Sequence, residues 1–226
     1  EAIKYYQYFI AQGFKDYRVF SNYGGILQDL GKFKEAELIL RKAIEIKPNL
    51  FNAHYNLGGT LNELRKLKQA EQSFLKAIEL KPDFAQAYLN LGNVFYDLGK
   101  LKQAEISTRK AIKLKPDSAE IHFNLGNILL KLKKFKEGWI EYEWRWKFKN
   151  IKKFESSKPE WNSNKRGRVL LQAEQGIGDI LLFASLIPDF ITKVDQLIIS
   201  IDKRLIPLFE RSLKGNISFI SQNGFI

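Results

Sequence analysis

Along the first 150 positions, apolar residues recur at spacings of three and four, which is typical of amphipathic helices. The helical segments come in pairs, and each pair spans 34 residues before the pattern starts again. Short polar turns separate the segments, and a Lys-Pro step follows three of the pairs. A proline cannot continue a helix interior, so these steps mark helix ends. The pattern predicts a mostly α-helical first part made of stacked helix pairs.

The repeat aligns without gaps. Residues 51–84, FNAHYNLGGTLNELRKLKQAEQSFLKAIELKPDF, match residues 85–118, AQAYLNLGNVFYDLGKLKQAEISTRKAIKLKPDS, and the same register fits 17–50 and 119–150. Small residues occupy the eighth and twentieth positions of every copy: Gly24, Gly58, Gly92 and Gly126, then Ala36, Ala70, Ala104 and Gly138. Small residues there let two helices approach closely. The pattern resembles the tetratricopeptide repeat, which implies an α-solenoid wound into a right-handed superhelix.

The same register also extends before the first full copy. Ala2, Tyr6 and Phe9 fall at positions 20, 24 and 27 of an earlier copy. We therefore expect residues 1–150 to hold a partial repeat followed by four repeats. We also expect the sequence to be a fragment of a longer protein.

Asparagine occupies the sixth position of each first helix. Stacking would align these side chains on the concave surface, and two more asparagines one turn later extend the strip: Asn22, Asn56, Asn90 and Asn124, then Asn93 and Asn127. An amide both donates and accepts, so a row of them can hold the backbone of an extended peptide. The O-GlcNAc transferases are similar at this position. The alternative is that each amide bonds only the neighbouring helix.

The formal charge of +12 raises nucleic acid as a partner. However, the thirteenth position carries Asp29, Glu63 and Asp97, and this acidity makes nucleic acid in the groove unlikely. The sequence has no cysteine and two histidines, which lie two repeats apart, so we expect no metal site. No apolar run is long enough to span a membrane, and we expect a cytoplasmic protein with a peptide or protein in its groove.

The fourth repeat runs into an aromatic and basic connector, GWIEYEWRWKFKN. Trp139 and Trp146 fall on one helical face, and Trp161 follows in a stretch without periodicity. We interpret 151–167 as a linker, and we predict that these three tryptophans pack between two domains. The alternative for these aromatic residues is a base-stacking platform beside the Lys cluster. The surplus of Lys and Arg over 131–168 is interpreted as a solvated face.

From residue 168 onward, strand-like runs alternate with helical ones: VLLQA, DILLFASLIPDFITK, QLIISI, KRLIPLFERSL and ISFIS. This order predicts a parallel sheet with right-handed crossovers, that is, a truncated α/β Rossmann-like domain over 168–226. The turn QGIG before Asp179 lacks the third glycine of the dinucleotide fingerprint and the lysine of a P-loop. Asp179 would also repel a phosphate at the helix start.

The stretch VLLQAEQGIGDILLFASLIPDF resembles the first domain of GT-B glycosyltransferases, specifically the heptosyltransferase-like family 9. The resemblance implies that Asp179 is the catalytic base, with Gly176 and Gly178 shaping an acceptor site and Glu174 as a second carboxylate. The alternative is that Asp179 only caps its helix. These enzymes bind the nucleotide-sugar mainly in a second domain, which nothing here matches. No cofactor and no activity are therefore expected of this fragment.

Two functions remain open. One is an array that presents an acceptor within a larger bacterial glycosyltransferase-like protein, which would use a nucleotide-sugar donor. The other is a protein–protein interaction scaffold without catalytic activity.

Overall fold

The computed structural model describes residues 2–148, 161, 166–172 and 184–221. The chain divides into two compact units, Glu1–Lys153 and Phe154–Ile226. Each unit has an apolar core of its own. Most of the predicted linker and the whole predicted glycine turn lie outside the described residues.

The described part of the first unit is a succession of helices separated by short turns. Their bounds are α1 (Ala2–Ala11), α2 (Tyr17–Asp29), α3 (Phe33–Ile46), α4 (Phe51–Glu63), α5 (Leu67–Leu80), α6 (Ala85–Asp97), α7 (Leu101–Leu114), α8 (Ala119–Lys131), α9 (Phe135–Tyr142) and α10 (Arg145–Phe148). The predicted helix pairs are confirmed, since α2 to α9 fall in the four copies and α1 packs against α2 ahead of them. The handedness of the superhelix stays a prediction.

Each helix pair closes over the glycine at the eighth position. A Cβ built on Gly58 would lie 2.8 Å from the ring of Phe74, and one on Gly126 would lie 2.6 Å from the backbone nitrogen of Tyr142. Both distances are too short for a real contact, so only glycine permits this approach. The alanines at repeat positions 20 and 27, such as Ala70 and Ala77, lie in the second helices and are fully buried.

The first helices lie side by side along the array. α2 contacts α4, α4 contacts α6 and α6 contacts α8, whereas the second helices α3, α5 and α7 mainly contact the first helices before and after them. The row whose members approach one another more closely is the inner row of a curved stack. The first helices therefore line the inner face of the array, as the repeat predicts.

A repeated ion pair joins neighbouring copies through their second helices. Lys66, Lys100 and Lys134 immediately precede α5, α7 and α9, and their ammonium groups lie 2.7, 2.8 and 2.7 Å from carboxylates one copy earlier: Glu37, Glu71 and Glu105. The three lysines follow one another at intervals of 34 residues, and so do the three glutamates. Two of these carboxylates also accept hydrogen bonds from an arginine one turn later, Arg41 and Arg109.

The described part of the second unit contains a parallel sheet. Its strands are β1 (Arg168–Gln172), β2 (Gln196–Ile201) and β3 (Ile217–Ser221), paired in that order, and its helices are α11 (Ile187–Ile191) and α12 (Ile206–Ser212). Val169 lies opposite Leu197, which lies opposite Ile217. β2 lies between β1 and β3, and its residues Leu197, Ile199 and Ile201, which share one face of the sheet, are buried. The predicted parallel sheet is confirmed.

We expect the ionised Glu105 carboxylate to stabilise the array. Burial alone would raise the pKa of Glu105, but hydrogen bonds from Lys134 and Arg109 outweigh burial and hold the pKa below its ordinary value of 4.5. A depressed folded-state pKa stabilises the protein above the unfolded-state pKa, and this stabilisation is lost as the pH falls through the folded-state pKa. Glu105→Gln should therefore lower the free energy of unfolding by about 1–2 kcal/mol at pH 7.

The measurement is the urea midpoint of each protein at pH 7 and at several values on the acid side of 4.5. Wild type and Glu105→Gln should converge as the pH falls, because both side chains are then neutral. The control is Glu35→Gln, since Glu35 is exposed and lies 3.4 Å from Lys32 at the surface. A difference that persists unchanged in acid, or an equal effect of the control, would contradict the account.

Candidate peptide-binding surface

The asparagines predicted to bind a peptide all lie on first helices. Asn22 is in α2, Asn56 in α4, Asn90 and Asn93 in α6, and Asn124 and Asn127 in α8. Their spacing along the array follows from the 34-residue register, because each helix occupies the same place in its copy. The structure places them on consecutive first helices, where Asn22 and Asn56 line one pocket and Asn124 bonds to Asn93.

A pocket of about 430 Å³ opens on this face between the first two copies. Asn22 and Asn56 lie in its wall together with residues of α2 and α4, and Phe84 closes it at the start of α6; the other lining residues are Ser21, Gly25, Ile26, Asp29, Asn52 and Tyr55. Its size is in the range of side-chain and small-ligand sites. Sequence reasoning missed Asn52, Tyr55 and Phe84, which the 34-residue repeat does not distinguish from packing positions.

The amides of Asn22 and Asn56 are unoccupied. Asn22 is exposed and Asn56 half-buried, and neither side chain has a hydrogen-bond partner among the described residues. A Cβ on Gly25 would lie 3.5 Å from the Asn56 amide nitrogen, an ordinary contact, so Asn56 sits directly against α2. Two amides with free donors and acceptors in a concave wall are suited to a peptide backbone.

Asn90 is engaged within the protein. Its amide nitrogen donates to the Tyr55 hydroxyl over 3.1 Å, and the Tyr55 ring packs on Phe84 with centroids 4.8 Å apart. Burial raises the pKa of Tyr55, the hydrogen bond from Asn90 opposes that rise, and the Glu120 carboxylate adds to it. The pKa of the hydroxyl therefore lies above its usual value, and the neutral group joins the second and third copies.

The remaining asparagines bond to their own surroundings. Asn124 donates to the Asn93 side chain over 3.2 Å, and Asn127 donates to the carbonyl of Phe123 over 3.0 Å. The strip thus has two parts: Asn22 and Asn56 are free, and the later amides have internal partners. The internal hydrogen bonds expected under the second alternative are present at the later amides, and peptide binding by Asn22 and Asn56 stays a prediction.

Both histidines pack against the repeat ends. His54 shares a hydrogen bond with the carbonyl of Pro48 at 2.8 Å, and His122 does the same with Pro116 at 2.6 Å. His122 also stacks on Trp144, with centroids 4.2 Å apart. Within the described residues, no three histidine, cysteine or acidic side chains cluster in a way that could hold a metal ion.

The three tryptophans predicted at a domain interface have different surroundings. Trp139 is 50% exposed and meets Tyr142 edge to face, while Trp146 lies under the Arg145 guanidinium. Trp161 packs in the core of the second unit, where its ring meets that of Phe190 at 4.9 Å. Their role between the units stays a prediction.

The predicted acceptor site lies outside the described residues, since Glu174, Gly176, Gly178 and Asp179 all fall within 173–183. The described chain stops immediately before it, at the carboxyl end of β1. There the Oε1 atom of Gln172 is buried and has no hydrogen-bond partner among the described residues. No sequence pattern pointed to this atom, because Gln172 ends a short strand whose three middle residues are apolar.

Residues 17–50 match the tetratricopeptide repeat profile, and residues 60–99 and 95–133 match a second profile described as a TPR repeat. The helical unit is a tetratricopeptide-repeat array. Within the described residues, no helix of this chain has both the length and the hydropathy needed to cross a membrane.

A curated relative is Protein FlbA of Caulobacter vibrioides, 34% identical over 83 residues. The match covers 34% of this chain and 14% of that protein, so the chain spans only a small part of its relative.

Several solved structures share the repeat fold. MamA from Desulfovibrio magneticus, residues 41 to the end, is 22% identical with a TM-score of 0.61, covering 66% of this chain and 84% of that one. YrrB, described as a TPR protein with an unusual peptide-binding site, is 20% identical with a TM-score of 0.56 over 63% and 73%. The first TPR domain of RPAP3, bound to an HSP90 peptide, is 24% identical with a TM-score of 0.51 over 52% and 93%.

Proposed function

We propose that the inner face of the tetratricopeptide array binds an extended segment of a partner protein. The observation that carries the proposal is the pair of unpartnered amides, Asn22 and Asn56, in the wall of one pocket. An extended segment exposes backbone N–H and C=O groups at regular intervals, and each amide can satisfy one of each. The protein is then a binding scaffold whose affinity comes mainly from contacts with the partner's backbone.

Two of the structurally similar proteins support this proposal through what they are known to hold. YrrB is described with a peptide-binding site and the RPAP3 domain with a bound peptide. Both share the stacked helix pairs of this array. Their ligands are their own, and the similarity supports only the class of partner, a peptide.

The free amides should contribute more than the engaged ones. Asn90 and Asn124 must exchange their bonds to Tyr55 and Asn93 for bonds to a ligand, so their net gain is small. Asn22 and Asn56 exchange only water. The ligand should therefore be held most firmly over α2 and α4.

We expect the double variant Asn22→Ala, Asn56→Ala to lose affinity for a groove peptide. Each net hydrogen bond is worth about 1 kcal/mol, so the pair should cost roughly thirty-fold in Kd. Peptides from a random library retained by the wild-type protein serve as probes, measured by fluorescence anisotropy. The matched control is Asn49→Ala, an exposed asparagine in the turn before α4. Equal affinity of the double variant and the control would rule out a role of Asn22 and Asn56 in peptide binding.

We propose further that the array presents an acceptor to a glycosyltransferase-like unit, as part of a longer protein that uses a nucleotide-sugar donor. The parallel order β1–β2–β3 is compatible with such a unit, and the glycosyltransferase resemblance of residues 169–190 supports it. In this proposal Asp179 takes the proton from the attacking acceptor hydroxyl, and Glu174 lies nearby as a second carboxylate. A scaffold without catalytic activity is the competing function, and it needs only the array.

The catalytic proposal is tested on the full-length protein with a panel of nucleotide-sugars and the groove peptide as acceptor. Asp179→Asn should retain acceptor binding and reduce transfer at least a hundredfold, since the general base is removed. Asp189→Asn is the matched control, because Asp189 lies in α11 of the same unit. Transfer by Asp179→Asn at the wild-type rate would reduce Asp179 to a helix cap.

A further inference from the structure

The pocket on the inner face carries negative charge in a strongly basic protein. Asp29, the last residue of α2, is the charged residue among those that line it. Its carboxylate is exposed and has no ion-pair partner among the described residues, although the chain has a formal charge of +12. A free carboxylate beside two free amides is a recognition element that the proposed backbone contacts do not use.

The acidic residue at the thirteenth repeat position pairs with an arginine elsewhere in this array. Asp97 is the residue equivalent to Asp29 two copies later, and the guanidinium of Arg65 lies 2.9 Å from its carboxylate. Arg65 has a φ of 58°, whereas the equivalent residues Gly31 and Gly99 have φ values of 70° and 73°. A non-glycine residue is disfavoured in this left-handed region. Arg65 nevertheless occupies it and reaches Asp97, which shows that a carboxylate at this position can hold a cationic side chain.

The surroundings of the pocket contain both signs of charge. The Glu120 carboxylate acts on the Tyr55 hydroxyl, so a second acid lies near the pocket wall. The Lys81 ammonium lies over the ring of Phe84, which lines the pocket, and over the ring of Phe51, at 5.5 and 4.8 Å from their centroids. The ring faces partly compensate that charge. Asp29 keeps its own charge uncompensated.

We propose that this pocket receives a lysine or arginine side chain of the bound segment, with Asp29 as its carboxylate partner. The inference rests on the proposed peptide-binding function. Asn22 and Asn56 hold the backbone on either side, while the aliphatic stem of the basic residue lies along Ile26 and the aromatic wall. Long cationic side chains bury their methylene groups in this way and keep the charged head near water.

The partner is therefore an extended segment with a basic residue. An ion pair at an exposed site changes a dissociation constant by roughly 1.4- to 5-fold, so Asp29 selects among segments and adds little to the affinity for any one of them. The net positive charge of the protein works in the opposite direction, because it favours acidic ligands at long range. A basic preference would thus be a local property of this pocket.

The test is selection of a random octapeptide library on the full chain and on two variants. Asp29→Asn removes the pocket charge, and Asp117→Asn removes the same charge from an exposed turn before α8. Peptides retained by the wild type and by Asp117→Asn should be enriched in lysine or arginine at one position, and this enrichment should vanish on Asp29→Asn. For one selected peptide, exchanging the basic residue for norleucine should weaken binding about threefold on the wild type and not on Asp29→Asn.

The outcomes separate the two proposals. Peptides that are retained through Asn22 and Asn56 but lack a basic preference would overturn the role of Asp29 and leave groove binding intact. A basic preference that survives in Asp29→Asn would also overturn it. Peptides whose retention is unaffected by alanine at both asparagines, or a library from which nothing is retained, would contradict groove binding itself and the role of Asp29 with it.

Discussion

The close approach of the two helices in each repeat is the constraint on which the array depends. At Gly58 a methyl group would lie 2.8 Å from the buried ring of Phe74, and the equivalent glycines meet their partner helices as tightly. Because one helix pair cannot bury its apolar residues alone, each pair must also stack on the next. A regular spacing within the pairs therefore becomes a regular spacing between them, and the array has an inner and an outer face.

The two faces use polar residues differently. On the outer side, the pairs Lys66–Glu37, Lys100–Glu71 and Lys134–Glu105 join second helices of consecutive copies. On the inner side, the amides of Asn22 and Asn56 have no partner among the described residues. The interactions that hold copies together thus leave part of the inner face free for a ligand.

Much of the array could be predicted from the sequence, because a gapless 34-residue repeat fixes the helices, their order and their small-residue contacts. The inner strip of asparagines followed from the same register. The sequence did not predict which of these amides are free and which have internal partners. The bond from Asn90 to Tyr55, for example, joins residues 35 positions apart and depends on side-chain geometry. The pocket could not be predicted either, because Tyr55 and Phe84 are indistinguishable from core residues in a periodic pattern. In the second unit the sequence predicted three parallel strands, while the role of Asp179 rests on resemblance and stays a prediction.

The central claim is that the inner face formed by α2 and α4 is the ligand-binding surface. Side-chain amide NMR signals report on it directly, because each asparagine amide gives its own pair of resonances. Titration with a selected library peptide should shift the amide signals of Asn22 and Asn56 and leave that of Asn49 unchanged. Shifts confined to the side-chain amides of Gln69, Gln72 and Gln103, in the outer helices α5 and α7, would contradict the account.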